Sequence, residues 1–325
     1  MGLRIAIVNS SSFGKRFPEH LRRLGELGSV ERIEVAPTCH GKELADVLAS
    51  FDVVIASVTP VFDEEFFAHK RDLKLLARHG IGYDKVNVPA ARATGCIVTI
   101  VSALIERDAV AEASVALLMD MMRCVSDSRV AANEGRWEER GRFVGIGLSG
   151  KTLGIIGCGN IGSRVAEIMG HGFGMRVLAN DPVKREPWAS SHGVEYVELD
   201  ELMRRSDVIS LNASLNETSH DLLNEHTLSQ ARRRPYIVNC ARDGLVNQEA
   251  MLAALEAGTV AGYATDVLSK EPPAPDNPYL NNPKVLVTTH ISAYTMECLE
   301  GMGAKCVADV ERLVAGEPPV NEVFE

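Results

Sequence analysis

Three side chains lie far apart in the chain yet make a complete chemical set: Arg242 in NCARDGLVN, Glu271 in ATDVLSKEPP and His290 closing VLVTTH. A guanidinium offers a planar fork for a carboxylate. An imidazole exchanges a proton near neutral pH, and a carboxylate beside it stabilises its charged form. Each of the three follows an apolar run that reads as a strand. In open parallel sheets, ligands bind beyond the carboxyl ends of the strands, so the three are expected to converge. Taken singly, a His, Glu or Arg in such a loop is more often a hydrogen-bonding or turn-capping residue. Together they predict one reactive site. Asp266 also ends a strand, where it could hydrogen-bond a carboxamide or simply terminate the strand in a turn.

The partner for that site is written in KTLGIIGCGNIGSRVAEIM. An apolar strand runs into Gly157-x-Gly159-x-x-Gly162, with Asn160 and Ile161 between the last two glycines, and then into a helical pattern. The first glycine permits a tight turn, the second lets a pyrophosphate approach the backbone, and the third lets the helix pack closely. The helix N-terminus then faces the phosphates with free amide groups. Asp181 comes 19 residues after Gly162, at the end of the next strand. A carboxylate there accepts hydrogen bonds from a ribose diol and repels a 2′-phosphate, which favours NAD over NADP. Lys184 and Arg185 just beyond could tolerate a phosphate.

The elements that must position these residues alternate from end to end: short β-branched runs, then longer amphipathic segments. That is the pattern of an α/β protein with parallel strands. Strands are expected near residues 3–8, 32–35, 52–57, 73–76 and 97–101, and again near 151–156, 175–179, 207–211, 236–239, 260–265 and 285–288. A long helical stretch over 107–128 is the candidate crossover between two domains, followed by an irregular excursion, NEGRWEERGRFVGIGLSG. The helical pattern at about 295–315 follows the last strand and is expected to return to the first domain, making that domain discontinuous.

The chain has 325 residues, 46% hydrophobic and 24% charged, which is ordinary globular usage. A net charge of −10 repels phosphate backbones, so nucleic acid is not an expected partner. The cluster Arg232-Arg233-Arg234 is read as capping a helix end. No run approaches the ~18 apolar residues of a membrane span, and the N-terminal apolar run reads as a strand, not a secretory segment. Seven widely spaced cysteines without a CxxC pair are expected to be buried thiols in a reducing cytoplasm, and no metal is expected.

Taken together, these motifs resemble the D-isomer-specific 2-hydroxyacid dehydrogenases. The resemblance rests on RHGIGYDKVNVPAARATG, AVAEASVALLMDMMR, GKTLGIIGCGNIG, NCARDGLVN, ATDVLSKEPP and VTTHIS, in that order. It implies two Rossmann-like, doubly wound domains separated by a cleft. Residues 1–103 with 296–325 would form the substrate domain, and 104–295 the NAD-binding domain with the crossover helix. It implies NAD-dependent interconversion of a small 2-oxo acid and a D-2-hydroxy acid, with Arg242, Glu271 and His290 catalytic. Gly80-Ile81-Gly82 would form a backbone nest for the substrate carboxylate, and Asn212, Ala241 and Asp266 would join the glycine loop in contacting the cofactor. A homodimer is implied as well.

The chain departs from the family pattern at four places. Asp243 intervenes between Arg242 and Gly244, Glu106 aligns where Asn is common, LNAS lacks a frequent proline, and TTH replaces Thr-Pro-His. Arg78 and Arg107 are the cations available to a phosphorylated substrate, although a solvated surface charge is the plainer reading of each. The chain ends soon after its last helix, so the regulatory extension of some phosphoglycerate dehydrogenases is not expected. A dinucleotide-sensing, corepressor-like binding protein is the alternative from another class. A formate-dehydrogenase-like hydride donor, which typically has Gln in place of the carboxylate partner, is disfavoured by Glu271.

Overall fold

In the computed structural model, which describes residues 2–324, the apolar runs become strands of two parallel sheets. The chain divides into two compact units, Met1–Glu106 with Tyr294–Glu325, and Arg107–Ala293.

The first unit holds β1 (Leu3–Val8), β2 (Gly28–Ile33), β3 (Val53–Ala56), β4 (Leu75–Arg78) and β5 (Ile97–Thr99), in the order β2-β1-β3-β4-β5. Successive side chains of a strand point to opposite faces. Ile5 and Ile7 of β1 therefore enter one core with Val53, Ile55 and Leu75, while Ala6 and Val8 enter the other with Val54, Phe66 and Leu76. A sheet covered on both faces needs strands that are apolar throughout, which is why these runs do not alternate with polar residues. Helix Met296–Ala315 covers one face with Cys306, Val307 and Val310. Thr295 opens it by accepting the Cys298 N–H at 3.1 Å, and Gly316 closes it in a left-handed turn at φ +69°.

The second unit holds β6 (Thr152–Ile156), β7 (Arg176–Asn180), β8 (Val194–Tyr196), β9 (Val208–Leu211), β10 (Tyr236–Asn239), β11 (Gly262–Thr265) and β12 (Val285–Val287). Their order is β12-β11-β10-β9-β6-β7-β8, all parallel. Strand order reverses between β6 and β9 here, and between β1 and β3 in the first sheet, where doubly wound sheets bind ligands.

The sequence misplaces three features. The first is β2, which begins at Gly28 instead of Arg32. It is an edge strand with no buried residue, so its polar sequence hides it. The second is β8, a three-residue edge strand that shows no apolar run. The third is the crossover stretch, which is two helices, Ala103–Arg123 and Val125–Asn133, broken at Cys124 with φ +53°. No glycine or proline marks that break. A 3-10 helix, Trp137–Arg142, lies inside the segment read as irregular.

Of the arginine cluster, Arg234 donates from Nε to Gly258 O at 2.8 Å, at the end of helix Gln248–Ala257, while Arg233 pairs with Asp207. All seven cysteines are free, five of them buried. Burial pushes the Cys240 thiol up to about 11 and Cys96, Cys298 and Cys306 to about 12, so these are not ready nucleophiles. Among the described residues no helix is long and apolar enough to cross a membrane.

Candidate active site

The glycine loop of the second unit is shaped by what surrounds each glycine. Gly157 leaves β6 at φ +86°, and a Cβ there would lie 2.4 Å from Ala213 N. A Cβ at Gly162 would lie 2.0 Å from Gly157 O, so helix Asn160–Phe173 can start this close only without a side chain at that position. Gly159 is different. Nothing lies within 4 Å of where its Cβ would be, and the residue is exposed beside exposed Asn160 and half-buried Ile161. Backbone that is crowded at the first and third glycines and open at the second fits a bound pyrophosphate, with the first amides of a 14-residue helix to receive it.

Asp181 follows β7 directly and braces this loop. Its Oδ2 accepts the Cys158 N–H and its Oδ1 the Val183 N–H, both at 2.7 Å. Arg185 grips the same turn, donating to Cys158 O at 2.9 Å and Gly159 O at 3.0 Å while lying 5.0 Å over the Trp188 ring. Asn212, just after β9, donates its N–H to Ile156 O at 2.7 Å and turns its side chain back on Ser210.

At the end of β10 the fully buried Asn239 shapes the turn that presents Arg242. Its Oδ1 accepts the Ala241 N–H at 3.0 Å and its Nδ2 donates to Arg242 O at 2.8 Å. Arg242 donates from Nη1 to Ala241 O at 2.7 Å. Beside it, burial first, then the Glu271 and Asp221 carboxylates, push the Asp243 carboxyl up to about 6.

Glu271 and His290 come together. His290 Nδ1 and Glu271 Oε2 are 2.7 Å apart, and Glu271 Oε1 accepts the Leu268 N–H at 2.9 Å, so the carboxylate is held from both ends. The pair is half-buried, with 32% of the His and 26% of the Glu side chain exposed. His290 sits in a left-handed conformation at φ +59°, uncommon for a residue other than glycine.

What holds that conformation is Asp266. Its Oδ1 accepts Thr288 Oγ1–H at 2.5 Å and Ile291 N–H at 2.9 Å; its Oδ2 accepts Ser292 N–H at 2.7 Å and Ser292 Oγ–H at 2.5 Å. All four donors come from the segment carrying His290, and Asp266 is 1% exposed. Asp266 thus braces the protein's own loop from the end of its strand. Asn239, Thr288 and Ser292 were not singled out from sequence. Their signal is a polar residue inside or just after an apolar strand.

In the first unit, Gly80-Ile81-Gly82 follows β4. Arg78 is buried and donates from Nε to Gly82 O at 3.0 Å and from Nη1 to Ser57 O. It is not a solvated surface charge. Arg107, in the second unit, pairs with Asp108 at 3.3 Å. Elsewhere in the first unit His40, Asp63 and Glu65 form a trio of metal-ligating type. There Asp63 caps helix Glu64–His69 through the Phe66 N–H and bonds His40 Nδ1 at 2.9 Å.

Open backbone at Gly159, set where this strand order reverses, defines the second unit as a dinucleotide-binding α/β domain. The family described as D-isomer specific 2-hydroxyacid dehydrogenase, NAD binding domain, matches residues 115–292. The chain is 34% identical over 295 residues to the chloroplastic D-3-phosphoglycerate dehydrogenase 2 of Arabidopsis thaliana, covering 90% of this chain and 46% of that protein. It is 32% identical over 285 residues to the glyoxylate reductase of Korarchaeum cryptofilum, covering 87% and 85%. A solved Thermus thermophilus protein superposes with a TM-score of 0.87 at 30% identity, over 99% of this chain and 100% of that one.

The chain belongs to the D-isomer specific 2-hydroxyacid dehydrogenase family, and residues 115–292 are its NAD binding domain. It spans about half the length of the phosphoglycerate dehydrogenases it matches. The family, the doubly wound α/β architecture and NAD as cofactor thus stand as the sequence motifs implied.

Proposed function

We propose that the protein interconverts a small, unphosphorylated 2-oxo acid and its D-2-hydroxy acid. The observation carrying this reading is the 2.7 Å bond between His290 Nδ1 and Glu271 Oε2. It fixes the ring through one nitrogen and assigns the other, Nε2, to proton exchange with the substrate oxygen. Glu271 stabilises the imidazolium that donates that proton. Asp266 is a positioning residue that sets the His290 backbone. Arg242 holds the substrate carboxylate and polarises the carbonyl, stabilising the charge that develops on its oxygen. The Gly80-Ile81-Gly82 backbone of the first unit is a carboxylate-binding nest, and we assign that unit as the substrate domain.

NAD(H), when bound, supplies or accepts the hydride. Gly157, Gly159, Asn160, Ile161 and Gly162 hold its pyrophosphate, Asp181 its ribose hydroxyls, and Asn212 and Ala241 line its nicotinamide side. The Asp181 carboxylate favours NAD over NADP.

The names of the relatives, phosphoglycerate dehydrogenase and glyoxylate reductase, support turnover over mere dinucleotide sensing. The tied-down Arg78 supports an unphosphorylated substrate of the glyoxylate, hydroxypyruvate or pyruvate class. We infer a homodimer from the exposed Val125, Val130, Trp137 and Val144, of which Trp137 is 72% and Val144 79% exposed. The free thiols fit a reducing cytoplasm.

The test is a panel of 2-oxo acids with NADH and NADPH in parallel. Steady NADH oxidation with glyoxylate, hydroxypyruvate or pyruvate, and little with 3-phosphohydroxypyruvate, is expected. NADH binding without turnover of any of them would favour the dinucleotide-sensing protein.

A further inference from the structure

In the glycine loop of the second unit, one side chain holds two successive carbonyls. Arg185 Nη2 donates to Cys158 O at 2.9 Å and to Gly159 O at 3.0 Å. A trans peptide is planar, with its C=O and N–H on opposite sides. The Cys158 carbonyl shares its peptide with the Gly159 N–H, and the Gly159 carbonyl shares its peptide with the Asn160 N–H. Drawing both carbonyls to Arg185 therefore turns these two N–H groups the other way. Gly159 and Asn160 are exposed, and nothing lies within 4 Å of where a Gly159 Cβ would be. Successive N–H groups turned to one side make an anion-binding concavity.

Arg185 is itself fixed. Its backbone N–H donates to Tyr196 Oη at 3.2 Å, and its guanidinium lies 5.0 Å over the Trp188 ring. Trp188 Nε1 donates in turn to Glu167 Oε1 at 3.3 Å, on the helix that the loop opens. Asp181 accepts the Cys158 N–H at 2.7 Å, so Cys158 is held at both its N–H and its carbonyl. A 2′-phosphate could use this guanidinium only by breaking its bonds to the loop, which would leave two carbonyls without their donor.

We propose that Arg185 is a positioning residue of the cofactor loop: it presets the Gly159 and Asn160 N–H groups for the pyrophosphate of NAD(H), and it does not serve as a cation for the 2′-phosphate of NADP(H). Donors already in place bind without the cost of ordering the loop. The proposal rests on the reading of Gly157–Gly162 as the pyrophosphate site, and every residue in it belongs to the second unit.

The experiment compares full-length wild type with Arg185→Met, Arg185→Lys and Gly159→Ala. NADH and NADPH are titrated by fluorescence, ADP-ribose by competition with NADH, and adenosine by ligand-detected NMR. ADP-ribose carries the pyrophosphate and adenosine does not. Arg185→Met keeps the reach of the side chain and removes its donors. It should weaken NADH, NADPH and ADP-ribose alike by about 10-fold, the scale of one charge-assisted hydrogen bond, and leave adenosine unmoved. The loss should persist at ~0.5 M KCl, where an exposed charge is largely screened. Arg185→Lys, which keeps the charge without the planar fork, should show the same split at smaller size, and it carries the comparison if the Met variant does not fold. Unchanged ADP-ribose affinity overturns the proposal. So does adenosine weakening as much as ADP-ribose, which makes Arg185 a structural brace. A loss that vanishes in salt, or is absent in Arg185→Lys, makes it a bare charge, and NADPH weakening beyond NADH makes it the 2′-phosphate cation; both overturn it. If Gly159→Ala also leaves ADP-ribose unmoved, the pyrophosphate reading of the loop fails first; if Gly159→Ala weakens it and the Arg185 variants do not, this proposal alone fails.

Discussion

Replacing Asp266 by Asn tests how the His290 loop is built. The carboxylate accepts four hydrogen bonds, two on each oxygen, from Thr288, Ile291 and Ser292. The amide of Asp266→Asn would keep one acceptor oxygen and present an NH2 group where the other now accepts. If that NH2 replaces Oδ2, the Ser292 hydroxyl can rotate away, but the Ser292 N–H cannot. It is left facing another donor in a residue only 6% exposed. A buried donor left without an acceptor costs about 1–3 kcal/mol, and the lost hydroxyl bond adds about 1 kcal/mol, so we expect about 2–4 kcal/mol of destabilisation. The φ +59° conformation of His290 would relax with it, and misplaced catalytic groups lose about 100-fold in rate. Urea unfolding followed by circular dichroism, with kcat and the NADH Kd measured on the folded variant, reads both effects. A loss below about 1 kcal/mol with normal kcat would mean that Asp266 does not hold the His290 loop. A weakened NADH Kd with unchanged kcat would instead assign Asp266 a cofactor contact.

Three further outcomes follow from the same geometry. Gly159→Ala should fold with the wild-type midpoint, since its Cβ meets nothing, yet bind NADH at least about tenfold more weakly; Gly162→Ala, whose Cβ would lie 2.0 Å from Gly157 O, should lose stability as well. Thermal melts with and without NADH separate the two. Asp243, raised in the folded state from its ordinary value near 4 to about 6, contributes stability that is present below pH ~4 and lost as pH rises through ~6. Asp243→Asn should therefore match the wild type near pH 4 and exceed it by about 1 kcal/mol at pH 7–8, the figure discounted for partial solvent screening; equal urea midpoints at pH 7.5 would contradict this. Glu271→Gln should lower kcat for reduction by about 10-fold or more while leaving the NADH Kd close to wild type, because its loss removes the partner of the imidazolium but no assigned cofactor contact.

Much of this was legible in the sequence because strands buried on both faces are apolar throughout. Leu3–Val8 and Tyr236–Asn239 could therefore be placed to the residue. Edge strands carry no such pattern, so Gly28–Ile33 and Val194–Tyr196 were displaced or missed. The glycine loop was readable because a side chain at Gly157 or Gly162 has no room, a constraint that leaves a mark in the sequence. Glu271 and His290 are 19 residues apart, and their chemistry pointed to each other before their contact was visible. The bracing role of Asp266 was not legible, because strand-end position says nothing about which donors fold back onto a carboxylate. Arg78 was misread for a related reason: a cation next to a glycine turn can serve the turn's own carbonyls. The break at Cys124 has no chemical marker in the residues around it, and we have no physical account of it.

The most direct measurement is single-turnover oxidation of bound NADH by the preferred 2-oxo acid in wild type and His290→Ala. An NADH Kd within about twofold of wild type and a rate at least about 100-fold slower are expected. A rate close to wild type with every 2-oxo acid the protein reduces would contradict this expectation.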